Sequence, residues 1–325
     1  MNKTEFSKMY NMIADAQKIA ITMHVRPDGD SIGTAAALCF AYPDKEIHVY
    51  VDGEVPQSLE YIKLPITQLD DENEYDLLIV IDACEEHRLG ENSVLIKKSK
   101  KVIVFDHHLN PTMKCDILVS DPERASCAEI MFEYFNHNKI KITKQMAEAL
   151  YTGVSSDTGC FLFPNTTAFT HYVASELFKI GIDAAGINYL NFRVYDPKKL
   201  SGLLRILDNI KFLSEGRIAV TVLDYKLVQR YSFKHDERHR FSRYATDASG
   251  VVVSLFLTEA EPGEYNVSLR GNGSVNVAEI ASRFGGGGHH NAAGLRINGK
   301  QRHVVKELVQ EVEKSLDTHK QTPLS

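Results

Sequence analysis

Two hydrophobic rhythms alternate along the first half of the chain. Apolar residues recur at helical spacing in EFSKMYNMIADAQ, DSIGTAAALCFAY, SCAEIMFEYFNH, TKQMAEALYTGVSSD and TAFTHYVASELFKIG. The segments KIAITMH, EIHVYVDG, YDLLIVIDA and KKVIVFDHH are instead short apolar runs rich in β-branched residues, and they read as strands. Strands that are apolar throughout and alternate with helices predict a sheet covered on both faces. Residues 1–182 are therefore expected to form an α/β domain with a doubly wound, mostly parallel sheet.

Residues 183–215 are amphipathic and broken at Asp196-Pro197, which predicts a helical connector able to pack across domains or across a homodimer. From Arg217 the rhythm changes. RIAVTVLD, SGVVVSLFLTEA, EYNVSLRG and GLRING read as strands, NVAEIASRF and VVKELVQEVEKSLD as helices. A smaller α+β domain over 216–320 fits, followed by a loose tail, QTPLS. The stretch FKHDERHRFSRYATD reads as a solvated loop, with Arg240 and Arg243 the residues to watch.

Composition narrows this picture. The chain has 325 residues, 43% hydrophobic and 25% charged, the balance of a folded globular protein. No apolar run has the length of a membrane span, and the first residues lack the apolar core of a signal peptide, so a cytoplasmic protein is expected. Five cysteines without a C-x-x-C pair argue against disulfides and zinc knuckles, and Cys39, Cys115 and Cys127 read as small buried hydrophobes. A net charge of −6 argues against a protein that coats long nucleic acid, but it leaves room for a small phosphorylated ligand.

The strands end alike. KIAITMH runs into HVRPDGD, giving His24, Asp28 and Asp30; LLIVID ends on Asp82; VIVFDHH ends on Asp106, His107 and His108; and a helix ends at Asp157. In an open parallel sheet the carboxyl ends of the strands share one edge, where ligands bind. One strand-end Asp is ordinarily a helix cap or turn former, and a lone histidine is ordinarily a satisfied core residue. The repetition asks for more, because so many carboxylates in one place repel and resist ionisation. A pair of divalent cations removes the conflict. Oxygen donors with a few imidazoles suit manganese first, with magnesium, cobalt or iron as alternatives. Two such ions can share a carboxylate and activate a water for in-line attack on phosphorus. Gly29 and Gly33 fit a crowded loop with little room for side chains. His48, His87, His137 and His171 have no such context.

HVRPDGDSIG, VIDA, FDHH and VSSDTG, in that order, resemble the motifs of the DHH phosphoesterases, and SLRGNGSVNVAEIASRFGGGGHHNAAG resembles the DHH-associated C-terminal domain. The resemblance covers nearly the whole chain and is nearest the branch acting on very short oligoribonucleotides and phosphoadenosine phosphate. It implies that His24 and Asp28 ligate one metal and Asp30 the second, with Asp82 bridging and His107 and Asp157 completing the second site. It implies further that Asp106 orients an imidazole and that His108 faces the substrate phosphate, as charge stabiliser or proton donor. The implied activity is hydrolysis of short RNA such as pApA to nucleoside monophosphates, with phosphoadenosine phosphate as a second substrate and a cyclic dinucleotide as the alternative.

In the second domain the glycine run could wrap an anion with its backbone N–H groups, placing Gly286, Gly287, Gly288 and His289 at the substrate, with Arg270 adding a bidentate contact. Gly271 and Asn272, where relatives often carry Ser and Lys, and His290 and Asn291 depart from the family pattern. They bear on which base or terminal phosphate is preferred.

Overall fold

The computed structural model describes the whole chain except residues 1, 2, 71, 72, 195, 234–240, 242, 243 and 320–325. Arg240, Arg243 and the tail QTPLS therefore lie outside the described residues. The chain divides into two compact units, Met1–Val194 and Tyr195–Ser325.

The first unit is built on five parallel strands: β1 (Lys18–Met23), β2 (Glu46–Tyr50), β3 (Leu77–Ile81), β4 (Val102–Asp106) and β5 (Ile117–Ser120), in the order β2-β1-β3-β4-β5. The strand β5 escapes the sequence pattern because it is a four-residue edge strand with every second side chain exposed or half-exposed. Six helices accompany the sheet: α1 (Lys3–Asp15), α2 (Gly29–Ala41), α3 (Cys127–His137), α4 (Lys144–Asp157), α5 (Ala168–Lys179) and α6 (Ala184–Phe192).

Strand alternation decides which residues meet them. Ile19, Ile21, Ile79, Ile81, Ile103 and Phe105 face one core with Phe6 and Met9 of α1, Leu38 of α2, Ile130 of α3 and Leu150 of α4. Ala20, Leu78, Val80 and Val104 point the other way and pack on Leu89 and Leu95 of the 3-10 helix Glu86–Ile96. Both faces are covered, by unlike means: six α-helices on one side and a 3-10 turn with loops on the other. The central strands β1, β3 and β4 are buried on both faces, so they read as unbroken apolar runs.

Helices α2 and α4 cross at very close range. A side chain at Gly33 would overlap the backbone oxygen of Ala149, and one at Gly29 would stand 2.6 Å from Cβ of Ser156. The two glycines thus let α2 lie against α4, which brings Asp30 near the end of α4.

The second unit begins with α7 (Pro197–Asp208). Its six-stranded sheet has the order β10-β11-β9-β8-β7-β6, from β6 (Lys211–Leu213), β7 (Ile218–Leu223), β8 (Val253–Glu261), β9 (Glu264–Gly271), β10 (Gly287–His289) and β11 (Ala292–Asn298). Only β7 and β8 run parallel; the other neighbours are antiparallel. Leu255, Leu257, Val267 and Leu269 face Ile280, Leu308 and Val312 of the helices Val277–Ser282 and Gln301–His319. Phe256 points to the opposite face, against Leu203 and Ile206 of α7 and Tyr231. The stretch 183–215 is accordingly shared, with α6 burying Ala184 and Ile187 in the first unit's core and α7 packing within the second. Among the described residues no helix is long and apolar enough to cross a membrane.

Candidate metal centre

The strand ends deliver their polar residues to one place, and local hydrogen bonds set each carboxylate. Asp28 is the N-cap of α2: its Oδ1 accepts from the N–H groups of Asp30 and Ser31 at 3.1 Å each, while its Oδ2 lies 3.7 Å from Nε2 of His24. Capping thus takes one oxygen of the side chain and leaves the other turned to His24. Asp30 is fully buried and accepts from the first N–H groups of α3, Cys127 at 2.6 Å to Oδ2 and Ala128 at 2.9 Å to Oδ1. Asp82 follows β3 in a left-handed conformation, φ 59°, with its N–H bonded to Phe105 O at 2.9 Å. That turn is uncommon outside glycine and is one an aspartate tolerates better than most residues. Asp157 is the last residue of α4.

Two imidazoles aim the same nitrogen at these acids. Nδ1 of His24 donates to Val25 O at 2.9 Å, and Nδ1 of His107 donates to Arg124 O at 3.2 Å. A carbonyl can only accept, so each Nδ1 carries a proton and each Nε2 is left to the cluster. Nε2 of His24 is 3.3 Å from Asp82 Oδ2; Nε2 of His107 is 3.6 Å from Asp82 Oδ1 and 3.3 Å from Asp157 Oδ2. These gaps exceed the roughly 2.7–2.9 Å of a charge-assisted hydrogen bond. They match the edge of a coordination shell, since two ligands each about 2.1 Å from one ion at ordinary angles stand roughly 3.0–3.4 Å apart.

The electrostatics agree. Burial, then the charges of Asp157 and Asp82, push the Asp30 carboxyl well above its usual range. Asp157 is pushed up to about 7 by burial, with Asp28 and Asp82 adding to it against the pull of His107. Burial disfavours a charged His24, yet Asp28 and Asp82 outweigh it and hold the ring at about 11. Two acids pushed toward neutrality, beside imidazoles held charged, mark a site short of positive charge. Among the described residues three overlapping sets could hold a cation: His24, Asp28 and Asp82; Asp30, Asp82, His107 and Cys127; and Asp82, Asp106 and His108, the ligand atoms of each set lying within 4.8 Å of one another.

His108 is placed differently. Its Nδ1 donates to Asp106 Oδ1 at 2.7 Å, and the same oxygen accepts from the backbone N–H groups of His107 at 2.6 Å and His108 at 3.0 Å. Burial would raise the Asp106 carboxyl, but the His108 ring brings it down to about 2. Asp106 therefore fixes the ring of His108, not that of His107.

Two neighbours escape the sequence pattern. Cys127, which reads as a plain hydrophobe, directs its thiol at Asp82 Oδ1 at 3.8 Å, and burial pushes that thiol well above its usual range. Arg88 brings Nη1 to 3.3 Å from Nε2 of His108. It sits in a 3-10 turn, where neither hydrophobic period marks which way a side chain points.

In the second unit, Arg270 of β9 pairs with Ala292 of β11, which pairs with His289 of β10. Residues in register across strands share a face, so Arg270 and His289 flank Ala292 on the face turned away from Leu269 and Val267. The glycine run is less open than its composition suggests. Gly285 and Gly286 donate to Ser282 O at 3.0 Å and Ala281 O at 2.9 Å, closing the preceding helix, and Gly287 and Gly288 lie in β10. A side chain at Gly288, where φ is 149°, would collide with β11, so glycine is needed for strand packing there.

An open parallel sheet carrying a carboxylate–imidazole cluster at its strand ends, followed by a mixed-sheet unit, defines a two-part α/β protein whose strand-end cluster could hold cations. Residues 18–154 match the DHH family, N-terminal domain, and residues 231–318 match the DHHA1 domain. The chain thus carries a DHH family N-terminal domain followed by a DHHA1 domain. It is 29% identical over 323 residues to a bifunctional oligoribonuclease and PAP phosphatase NrnA of Mycoplasma genitalium, covering 96% of this chain and 99% of that one. It is 29% identical to the protein of the same name from Bacillus subtilis, covering 86% and 89%. The crystal structure of an exopolyphosphatase-related protein from Bacteroides fragilis matches with a TM-score of 0.89 and 27% identity over 98% of each chain.

Proposed function

We propose that this protein is a metal-dependent phosphoesterase that hydrolyses very short oligoribonucleotides such as pApA to nucleoside monophosphates and also dephosphorylates phosphoadenosine phosphate. The observation that carries the reading is Asp82, whose two oxygens face His24 and His107 separately. His24, Asp28 and Asp82 would hold one divalent ion, and Asp30, Asp82, His107 and Asp157 a second, with manganese favoured by the mixed oxygen and nitrogen donors. Such ions supply Lewis acidity toward a phosphate and lower the pKa of water. The protein's own part is to set the donors: the carbonyls of Val25 and Arg124 hold the imidazole protons on Nδ1, and α3 pins Asp30 with two N–H groups. Asp106 keeps the His108 ring in one orientation and one tautomer for contact with the substrate. Arg270 and His289, in one row of the second unit's sheet, would add anion contacts that select a nucleotide. The names of the Mycoplasma genitalium and Bacillus subtilis relatives, oligoribonuclease and PAP phosphatase, support the same substrates.

The test is incubation of the purified protein and manganese with pApA, phosphoadenosine phosphate and cyclic di-AMP side by side, with Asp82→Asn as control. Turnover of the first two, lost in the control, is the expected result. Preference for the cyclic compound would replace the substrate assignment, and turnover of none would remove it.

A further inference from the structure

Arg88 has a position that the centre's ligand set does not account for. Its backbone oxygen accepts from Val25 N–H at 2.7 Å, stitching the 3-10 helix Glu86–Ile96 to the loop between His24 and Asp28. Its neighbour Leu89 is fully buried, so the residue is anchored on both sides. The side chain then reaches His108. Since Nδ1 of that ring gives its proton to Asp106 at 2.7 Å, Nε2 offers a lone pair, and the Arg88 guanidinium 3.3 Å away is the donor that meets it.

Five carboxylates, Asp28, Asp30, Asp82, Asp106 and Asp157, belong to this cluster, yet among the described residues Arg88 forms an ion pair with none of them. A half-buried guanidinium beside so much negative charge, unpaired with any of it, keeps four of its five N–H groups for something else. Its planar fork suits a carboxylate or a phosphate. Next to a cluster built for cations, the fitting anion is one that the cations also attract.

We infer that Arg88, held by His108, is the residue that contacts the non-bridging oxygens of the reacting phosphate; the inference rests on the phosphoesterase reading above. His108 would then serve first as an acceptor that aims the guanidinium, and as a second contact once the phosphate arrives. Nothing in this assignment depends on the second unit.

The experiment uses the full chain loaded with manganese and carrying Arg88→Ala or Arg88→Lys. Both variants keep the backbone bond to Val25, so metal content and thermal unfolding should match the wild type. On pApA, kcat/KM should fall about 100-fold in Arg88→Ala. The fall should be about tenfold in Arg88→Lys, whose point charge lacks the fork. Inhibition by inorganic phosphate should weaken at least about tenfold in Arg88→Ala, and added guanidinium ion should restore part of the lost rate. Wild-type kcat/KM and phosphate inhibition in Arg88→Ala would overturn the inference, as would loss of metal together with activity. If the wild type turns over no phosphate ester, the phosphoesterase reading fails separately. Calorimetric binding of inorganic phosphate to the two manganese-loaded proteins then decides the role of Arg88, equal affinity refuting it.

Discussion

Asp82 Oδ2 lies 3.3 Å from Nε2 of His24, too far for a strong charge-assisted bond and well placed for a shared ligand sphere. The other oxygen of the same carboxylate turns to His107, so one side chain belongs to both halves of the cluster. The replacement that probes it is asparagine, because φ at this position is 59°, a conformation asparagine accepts and alanine resists. In Asp82→Asn, Asp30 and Asp157 lose a charge that crowds them while His24 and His107 lose one that attracts them, so the opposed effects should leave the melting temperature of the metal-free protein near that of the wild type. The stabilisation on adding manganese should largely disappear, and phosphoesterase activity should fall at least about a thousandfold, several kcal/mol of lost metal assistance. Thermal unfolding with and without manganese, together with metal analysis, checks this. Wild-type metal content in the variant would refute the bridging role.

The protonation pattern predicts how metal-free stability depends on pH. Burial works against a charged His107, but Asp157, Asp30 and Asp82 hold it at about 10, as Asp28 and Asp82 hold His24 at about 11, both against an ordinary 6.5. Asp157 is raised to about 7 from 3.8. Each of these groups binds more protons folded than unfolded, so its contribution is complete below the unfolded value and is lost as pH rises through the folded one. Asp28 and Asp106, held at about 2, act oppositely and lose their contribution only as pH falls from 3.8 toward 2. The metal-free protein should therefore lose stability from about pH 4, where Asp157 begins, to about pH 11, most steeply between 6.5 and about 10 where both imidazoles contribute, whereas the manganese-loaded protein should not. Manganese binding at neutral pH should release protons, read by calorimetry in two buffers of different ionisation enthalpy. A buffer-independent heat would contradict the pattern.

Much of this centre was legible because the sheet is parallel and buried on both faces. Runs such as LLIVID and VIVFD announce strands, and a polar residue ending such a run falls at the sheet's carboxyl edge whatever the intervening loops do. His24, Asp82 and His107 meet for that reason, joined by Asp28 and Asp30 at the start of α2 and by Asp157 at the end of α4, which packs on α2. Arg88 and Cys127 were not legible. Arg88 sits in a 3-10 turn without a usable period, and Cys127 reaches the cluster from the first turn of α3, where it follows no strand end and reads as one more apolar residue of the helix. The glycine run holds a part that composition does not announce, since β10 spends some of its backbone freedom on strand pairing.

Helix packing behind the centre can be tested at two glycines. A methyl group at Gly33 would strike the Ala149 carbonyl, whereas one at Gly153 would stand 2.6 Å from Cβ of Ala128 and 2.7 Å from Asp30 Oδ1. Both alanine variants should cost about 1–3 kcal/mol in overpacking, read from denaturant unfolding. Gly153→Ala should also displace the Asp30 carboxylate and, on the proposed ligand set, lower manganese affinity further than Gly33→Ala does at matched stability. Equal affinities in the two variants would mean that Asp30 is not a ligand whose place depends on this packing.

The last prediction concerns the row that runs from His289 through Ala292 to Arg270. If Arg270 supplies an anion contact for nucleotide substrates, Arg270→Ala should raise KM for pApA and phosphoadenosine phosphate about tenfold, the value of one charge-assisted pair. Hydrolysis of p-nitrophenyl phosphate, which has no nucleoside to place, should be unchanged, as should manganese content. Arg296 of β11 is exposed and lies on the same face of the sheet, so Arg296→Ala removes an equal charge away from the row and should leave KM as it was. A rise in KM in both variants would show that only the unit's net charge matters. A rise in neither would remove Arg270 from substrate binding and leave nucleotide selection to the strand-end cluster itself.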